Sequence, residues 1–217
     1  MQTKKIIVLI SGDGSNLQAL IEKLHLPKEN IGASEIVLVI SNNADAYGLT
    51  RAKDAQIKHL VISSDTDISP LEYDALLTVQ IEKLQPDLIL LAGFMRILGK
   101  PFVRQYGHKM LNIHPSLLPK YQGINTHQRA IDNAEKEHGA SVHFVTPEID
   151  NGPVVLQAKV PIFDDDNVAE LSARVHTQEH LIYPLSAQWF LSGRLKLNAG
   201  NAELDGKCLA KDGYAPD

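Results

Sequence analysis

A chain of 217 residues with 44% hydrophobic and 22% charged side chains has the make-up of a globule with a full core, which excludes a disordered or fibrous class. Its formal net charge of -5, with no basic run longer than Lys4-Lys5, lacks the electrostatic footprint of a nucleic-acid binder. The single Cys208 cannot form an internal disulfide, and the apolar run from Ile6 to Ile10 is too short for a signal or a membrane span, so one cytoplasmic domain is expected.

The first strand is expected over residues 5–10. Behind it, Ser11-Gly12-Asp13-Gly14-Ser15-Asn16 opens a helix in which Leu17, Leu20, Ile21 and Leu24 keep the i, i+3, i+4, i+7 spacing of one apolar face. Free backbone N–H groups at such a helix start attract an anion. Leu17 stands where the dinucleotide fingerprint needs a third small residue, and no Lys follows the glycines as in a P-loop. A monoester phosphate on Gly14, Ser15 and Asn16 is therefore favoured over a nicotinamide cofactor or a nucleoside triphosphate. The competing reading is a chain-reversing glycine turn with Ser15 as the helix cap.

Strands follow at 35–40 and 59–62. Ser69-Pro70-Leu71-Glu72 then supplies an N-cap, a Pro in the first turn and a capping-box Glu for a helix to about Leu84. After a strand at 87–92 comes Gly93-Phe94-Met95-Arg96-Ile97-Leu98, where ligands of doubly wound sheets bind, although a Met and two aliphatics are more often core. Further strands are expected at 110–113, 141–145 and 154–160. A long helix from Asn167 to about Leu191 follows, in which Pro184 must break or kink the ladder, and then a Gly-rich polar tail. Short, continuously apolar strands alternating with helices predict an α/β, doubly wound, mostly parallel seven-stranded sheet with helices on both faces.

The run from Leu111 to Gly123 carries the most chemistry. Asn112 and His114 are two residues apart, so an extended backbone points both to one face, and Pro115 and Pro119 stiffen the loop beyond. Alone, a strand-end His is more often structural than catalytic.

The string Asn112-Ile113-His114-Pro115-Ser116-Leu117-Leu118-Pro119, closed by Gly123, resembles the signature of the folate-dependent formyltransferases. Ser141-Val142-His143-Phe144, continuing to Asp150, Gly152 and Pro153, resembles their second signature. The resemblance implies a formyltransferase fold with a Rossmann-like, phosphate-binding half at 1–100 and a catalytic, folate-binding half at 101–217. It implies a catalytic set of Asn112, His114 and Asp150, in which Asn112 and His114 stabilise an oxyanion and Asp150 handles the proton. Met95, Arg96, Ile97 and Leu98, with Asn112 and Asp150, would hold 10-formyltetrahydrofolate as co-substrate. In members acting on a glycinamide ribonucleotide, a Gly-Ser-Asn like Gly14-Ser15-Asn16 holds the phosphate, and a Glu like Glu179 contacts the ribose or glycinamide. The implied reaction is formylation of 5-phosphoribosylglycinamide in purine biosynthesis, with small-molecule substrates, no metal, and a monomer or homodimer.

Three positions depart from the family pattern. Ser69-Pro70-Leu71 stands where members commonly carry a basic residue for the folate tail, Asn151 follows Asp150 where two glycines are frequent, and Asn125 replaces a His of some members. His127 is assigned no catalytic role. Rival readings are a zinc hydrolase using His176, Glu179 and His180, for which Glu203 is the sole downstream Glu, and a non-catalytic phosphoribosyl-binding module. Among relatives sharing the first signature, a methionyl-tRNA formyltransferase is expected to add a basic C-terminal domain and a formyltetrahydrofolate hydrolase an extra N-terminal one. Both fit this length poorly.

Overall fold

The computed structural model describes residues 3–25, 34–63 and 68–214. Among them, β1 (Lys4–Ile10), β2 (Ser34–Ser41), β3 (His59–Val61), β4 (Leu88–Leu91), β5 (Met110–His114), β6 (Glu137–Phe144) and β7 (Val154–Pro161) form one sheet in the order β3-β2-β1-β4-β5-β6-β7. The first five strands are parallel and the last two pairings antiparallel. All seven expected strands are present. β6 begins earlier than expected because Glu137-His138-Gly139 lacks an apolar pattern. Gly139 sits there because a Cβ would strike the Ala158 carbonyl of β7.

The period of two along β1 assigns its side chains to two cores. Ile6, Val8 and Ile10 pack with Leu17, Leu20, Leu24, Val175 and Tyr183, whereas Ile7 and Leu9 pack with Tyr73, Leu77 and Phe102. The helices α1 (Ser15–Leu20), α2 (Tyr47–Asp54), α3 (Pro70–Leu84), α4 (Lys100–Tyr106), α5 (Thr126–Asp132) and α6 (Val168–Leu191) complete the layers. The first helix does not stay α-helical through its apolar stripe: it widens into a π-turn over Ile21–His25. Ile21 and Leu24 remain buried all the same. Ser69 and Glu72 form the expected capping box at the start of α3.

Of the two outcomes expected at Pro184, a break or a kink, the break does not occur. The residue removes one N–H from the ladder, yet α6 runs uninterrupted from Val168 to Leu191 with Pro184 buried inside it. An interior Pro costs about 3 kcal/mol, and burial of Leu171, Val175, Ile182, Tyr183 and Ala187 on this helix outweighs that. The tail is also more ordered than expected: β8 (Leu195–Asn198), β9 (Asn201–Leu204) and β10 (Lys207–Cys208) form an antiparallel sheet of their own. Among the described residues no helix is long and apolar enough to cross a membrane.

Tyr183 ties α6 to the sheet. Its hydroxyl lies 2.9 Å from the Leu91 carbonyl at the end of β4 and 3.0 Å from that of Leu111 in neighbouring β5, with all three groups buried. Tyr183→Phe removes this donor from between two desolvated acceptors and is expected to cost about 1–3 kcal/mol, read as a shift of the urea midpoint without a change in slope.

Chain progression reverses between β1 and β4, which makes their carboxyl ends the topological switch point. Ser11 joins the strand-end loops there: its hydroxyl donates to Asn42 Oδ1 at 2.6 Å and accepts from the Met95 N–H at 2.7 Å.

Candidate active site

β5 delivers Asn112 and His114 to one face, and antiparallel β6 sets His143 opposite Asn112 and Ser141 opposite His114. Asn112 Nδ2 lies 3.0 Å from His143 Nε2. His114 Nε2 lies 2.9 Å from the Tyr121 carbonyl, an acceptor only, so this nitrogen donates and Nδ1 is the one left for chemistry. Asp150 Oδ2 stands 3.4 Å from that Nδ1, and Oδ1 stands 3.8 Å from His143 Nε2.

Asp150 is held in place by its surroundings. Its φ of 48° is left-handed, uncommon for a residue with a Cβ. The Gly123 N–H donates to Oδ2 at 2.9 Å, and Gln122 Nε2 donates to the Asp150 carbonyl at 2.9 Å. Asn151 joins this contact, its Oδ1 lying 3.4 Å from Gln122 Nε2. Gly152 must be glycine, because a Cβ there would strike the Phe144 carbonyl.

The segment after His114 forms a braced wall. Ser141 Oγ donates to the Ser116 carbonyl at 2.6 Å and accepts from the Leu118 N–H at 3.0 Å, Gln157 donates to the Leu118 carbonyl at 2.8 Å, and Thr126 donates to the Pro115 carbonyl at 2.6 Å. Arg129 lies over the Tyr121 ring and donates to the Gln122 carbonyl at 2.7 Å. Behind this wall His127 and His138 meet edge to face, 5.1 Å between ring centroids, and burial pushes both imidazoles down to about 4. Burial holds the His143 imidazole at about 4 as well, against the pull of Asp150.

In the glycine loop, Gly14 (φ 78°) is the N-cap of α1 with no side-chain cap hydrogen bond, so Ser15 does not serve as the cap. A Cβ on Gly14 would lie 2.7 Å from Gly48 Cα, which explains the close approach of loop and α2. Asn16 and Glu179, 163 positions apart, meet in the interior: Asn16 Nδ2 donates to Glu179 Oε2 at 2.7 Å. They are 9% and 3% exposed. Asn16 Oδ1 is buried with no partner among the described residues. Of the residues in the zinc reading, the Glu179 carboxylate is engaged by Asn16, and the His176 and His180 rings lie nearly parallel with centroids 6.3 Å apart. Among the described residues no group of three or more His, Cys, Asp or Glu is arranged to hold a metal.

The segment after β4 divides. Met95 and Ile97 are 74% and 68% exposed, free to meet a ligand, whereas Leu98 is buried with Tyr73, Leu77 and Phe102 in the core. The Arg96 guanidinium sits 4.0 Å above the Tyr73 ring. Leu91 pairs with Asn112, so this segment starts beside the Asn112–His114 face. The sequence reading assigned no role to His143, although its position opposite Asn112 inside the second signature was a signal for one.

Residues 4–186 match the formyl transferase family. The chain is 53% identical to phosphoribosylglycinamide formyltransferase of Escherichia coli over 213 residues, covering 98% of this chain and 99% of that protein. It is 43% identical to the human trifunctional purine biosynthetic protein adenosine-3, covering 89% of this chain but 19% of that protein. The solved structure of phosphoribosylglycinamide formyltransferase from Coxiella burnetii superposes with a TM-score of 0.91 at 48% identity, covering 98% and 99% of the two chains. With more than four-fifths of its length inside the family and its strand-end signatures folded into one site, the chain belongs to the formyl transferases.

Proposed function

We propose that this site transfers the formyl group of 10-formyltetrahydrofolate to the primary amine of 5-phosphoribosylglycinamide, a step of purine biosynthesis. The observation that carries the reading is the placement of Asp150 Oδ2 3.4 Å from His114 Nδ1, beside the Asn112 amide. An acyl transfer to an amine needs hydrogen-bond donors for the developing oxyanion and an acceptor for the proton the amine sheds.

The amine nitrogen attacks the formyl carbon, forming a C–N bond and a tetrahedral oxyanion. Asn112 Nδ2–H and protonated His114 donate to that oxygen. Asp150 balances the imidazolium and takes the amine proton, directly or through a water. Collapse breaks the bond to N10 of the folate, which leaves as tetrahydrofolate with a proton from His114. No covalent enzyme intermediate and no metal is required.

The phosphate rests on Gly14, Ser15 and Asn16, and Glu179 binds the ribose or glycinamide. Met95, Arg96 and Ile97 line the folate pocket with Asn112 and Asp150, and Leu98 supports it from the core. Glu179→Ala also strands Asn16. A hydrogen bond to a charged group contributes about 1.5–3 kcal/mol, so KM for the ribonucleotide is expected to rise roughly 10- to 150-fold while KM for the folate stays put.

The decisive assay is tetrahydrofolate release, followed by absorbance, with and without the ribonucleotide, for wild type, Asp150→Asn and His114→Ala. Release that requires the ribonucleotide and collapses in both variants is the expected result. Release without the ribonucleotide would make the chain a hydrolase. Bound ribonucleotide with no release would leave only a binding module.

A further inference from the structure

We propose that His143 is a positioning residue for Asn112: its bare Nε2 fixes which way the Asn112 amide faces, spending one amide N–H on the imidazole and aiming the other at the reacting carbonyl. The inference rests on the reading of Asn112 as an oxyanion donor and goes beyond it, because Asn112 alone does not determine its own orientation. An amide can flip by half a turn with little change in shape, exchanging a donor for an acceptor. In an oxyanion site that exchange reverses the sign of the interaction.

The hydrogen-bond partners settle the flip. His143 Nδ1 lies 2.9 Å from the Phe144 carbonyl, which only accepts, so Nδ1 carries the hydrogen. A neutral imidazole has one N–H, and Nε2 is therefore an acceptor. The group of Asn112 facing it at 3.0 Å must then be the NH2. Backbone register enforces the pair: Asn112 and His143 are directly opposed on β5 and β6, and opposed residues share a face.

The arrangement works only with a neutral imidazole. A proton on Nε2 would set donor against donor at 3.0 Å and turn the Asn112 carbonyl toward His143, altering the donor presented to the substrate. His143 is 2% exposed. Two charged or titratable groups act on it, Asp150 from the β6–β7 connection, 3.8 Å from Nε2, and His114 from β5. Burial, with a smaller push from His114, opposes a second proton, whereas the Phe144 carbonyl and Asp150 favour it, and the balance leaves His143 neutral down to about pH 4.

The test is a double-mutant cycle with steady-state kinetics, together with the nitrogen chemical shifts of His143 in the wild-type protein. Removing one oxyanion donor lowers kcat by about 100- to 1000-fold, which is the expectation for Asn112→Ala. His143→Ala is expected to lower kcat by roughly tenfold, with both KM values within about threefold, and to cost less than about twofold in the Asn112→Ala background. His143→Gln restores an acceptor near the Nε2 position and is expected to recover most of the loss. The spectrum of the wild type is expected to show the Nδ1–H form at neutral pH.

An Nε2–H form, or an equal loss from His143→Ala with and without Asn112, would overturn the proposal while leaving Asn112 in its role. An unchanged kcat in Asn112→Ala would overturn the reading of Asn112 itself, and His143 with it. If His143→Ala does not fold, His143→Gln and the wild-type tautomer decide the question: a Gln variant no faster than about one-tenth of wild type counts against the proposal.

Discussion

Asp150→Asn is expected to slow formyl transfer by about 10³-fold while leaving the fold and both substrate affinities nearly intact. Asn is isosteric with Asp, so its Oδ1 can keep the bond from the Gly123 N–H that holds this loop in place. What it loses is chemical. A neutral amide neither balances an imidazolium at His114 Nδ1, 3.4 Å away, nor takes a proton from the attacking amine. With its oxygen kept on Gly123 and still facing His114 Nδ1, the amide places its NH2 where the other carboxylate oxygen faced His143 Nε2, and the charge that steadied the imidazolium is gone. His114→Ala is expected to cost a comparable factor. Because Asp150 supports the imidazolium that His114 presents, the two act as a unit, and the double variant should be little slower than either single one, far from the product of the two losses. Single-turnover rates at saturating substrates, with thermal unfolding as a control for the fold, check both statements. An Asp150→Asn enzyme within tenfold of wild type would remove Asp150 from the proton path.

Much of this site was legible because its chemistry is local. Asn112 and His114 share a face through strand period alone, and Pro115 and Pro119 announce a stiff loop. Asp150 was legible only through the resemblance to a family, since an Asp before Asn-Gly otherwise reads as an ordinary turn. The Asn16–Glu179 contact was not legible as a contact, because nothing in sequence spacing brings positions 163 apart into register. His143 lay inside a recognised signature but needed the β5–β6 register to acquire a partner. In the fold, nearly continuous Ile, Val and Leu runs made the strands plain, while a break at Pro184 does not occur because the core that α6 buries outweighs local propensity. The C-terminal sheet was missed despite a usable signal. Asp205-Gly206, both at positive φ between β9 and β10, is the dipeptide that a tight antiparallel turn prefers.

The buried imidazoles should make the protein labile to mild acid well before its carboxylates titrate. His138 and His143 are 1% and 2% exposed, and both are held at about 4 by burial. In the unfolded chain each titrates near 6.5. Between these values the unfolded state binds protons that the native state refuses, so stability falls as pH drops through 6.5 and the loss is complete only near 4. At 1.36 kcal/mol per pH unit, His138 withdraws up to about 3 kcal/mol, a large share of the roughly 5–15 kcal/mol that holds a domain together, and His143 acts in the same direction. His127, also at about 4, adds to the slope. Asp74, whose carboxyl is raised by burial, works against it. Asp166, held at about 2 by Arg174, loses its contribution only as pH falls below the ordinary carboxylate range, outside this window. Urea midpoints at pH 7, 5.5 and 4.5 are therefore expected to decline steeply. The Pro115 carbonyl favours a proton on the His138 imidazole, and a Gln side chain can face it without taking up a proton. In His138→Gln the decline should be visibly shallower. A variant as acid-sensitive as the wild type would place the lability elsewhere, whereas a flattened profile would tie the stability of the wall beside His114 to an imidazole that stays uncharged.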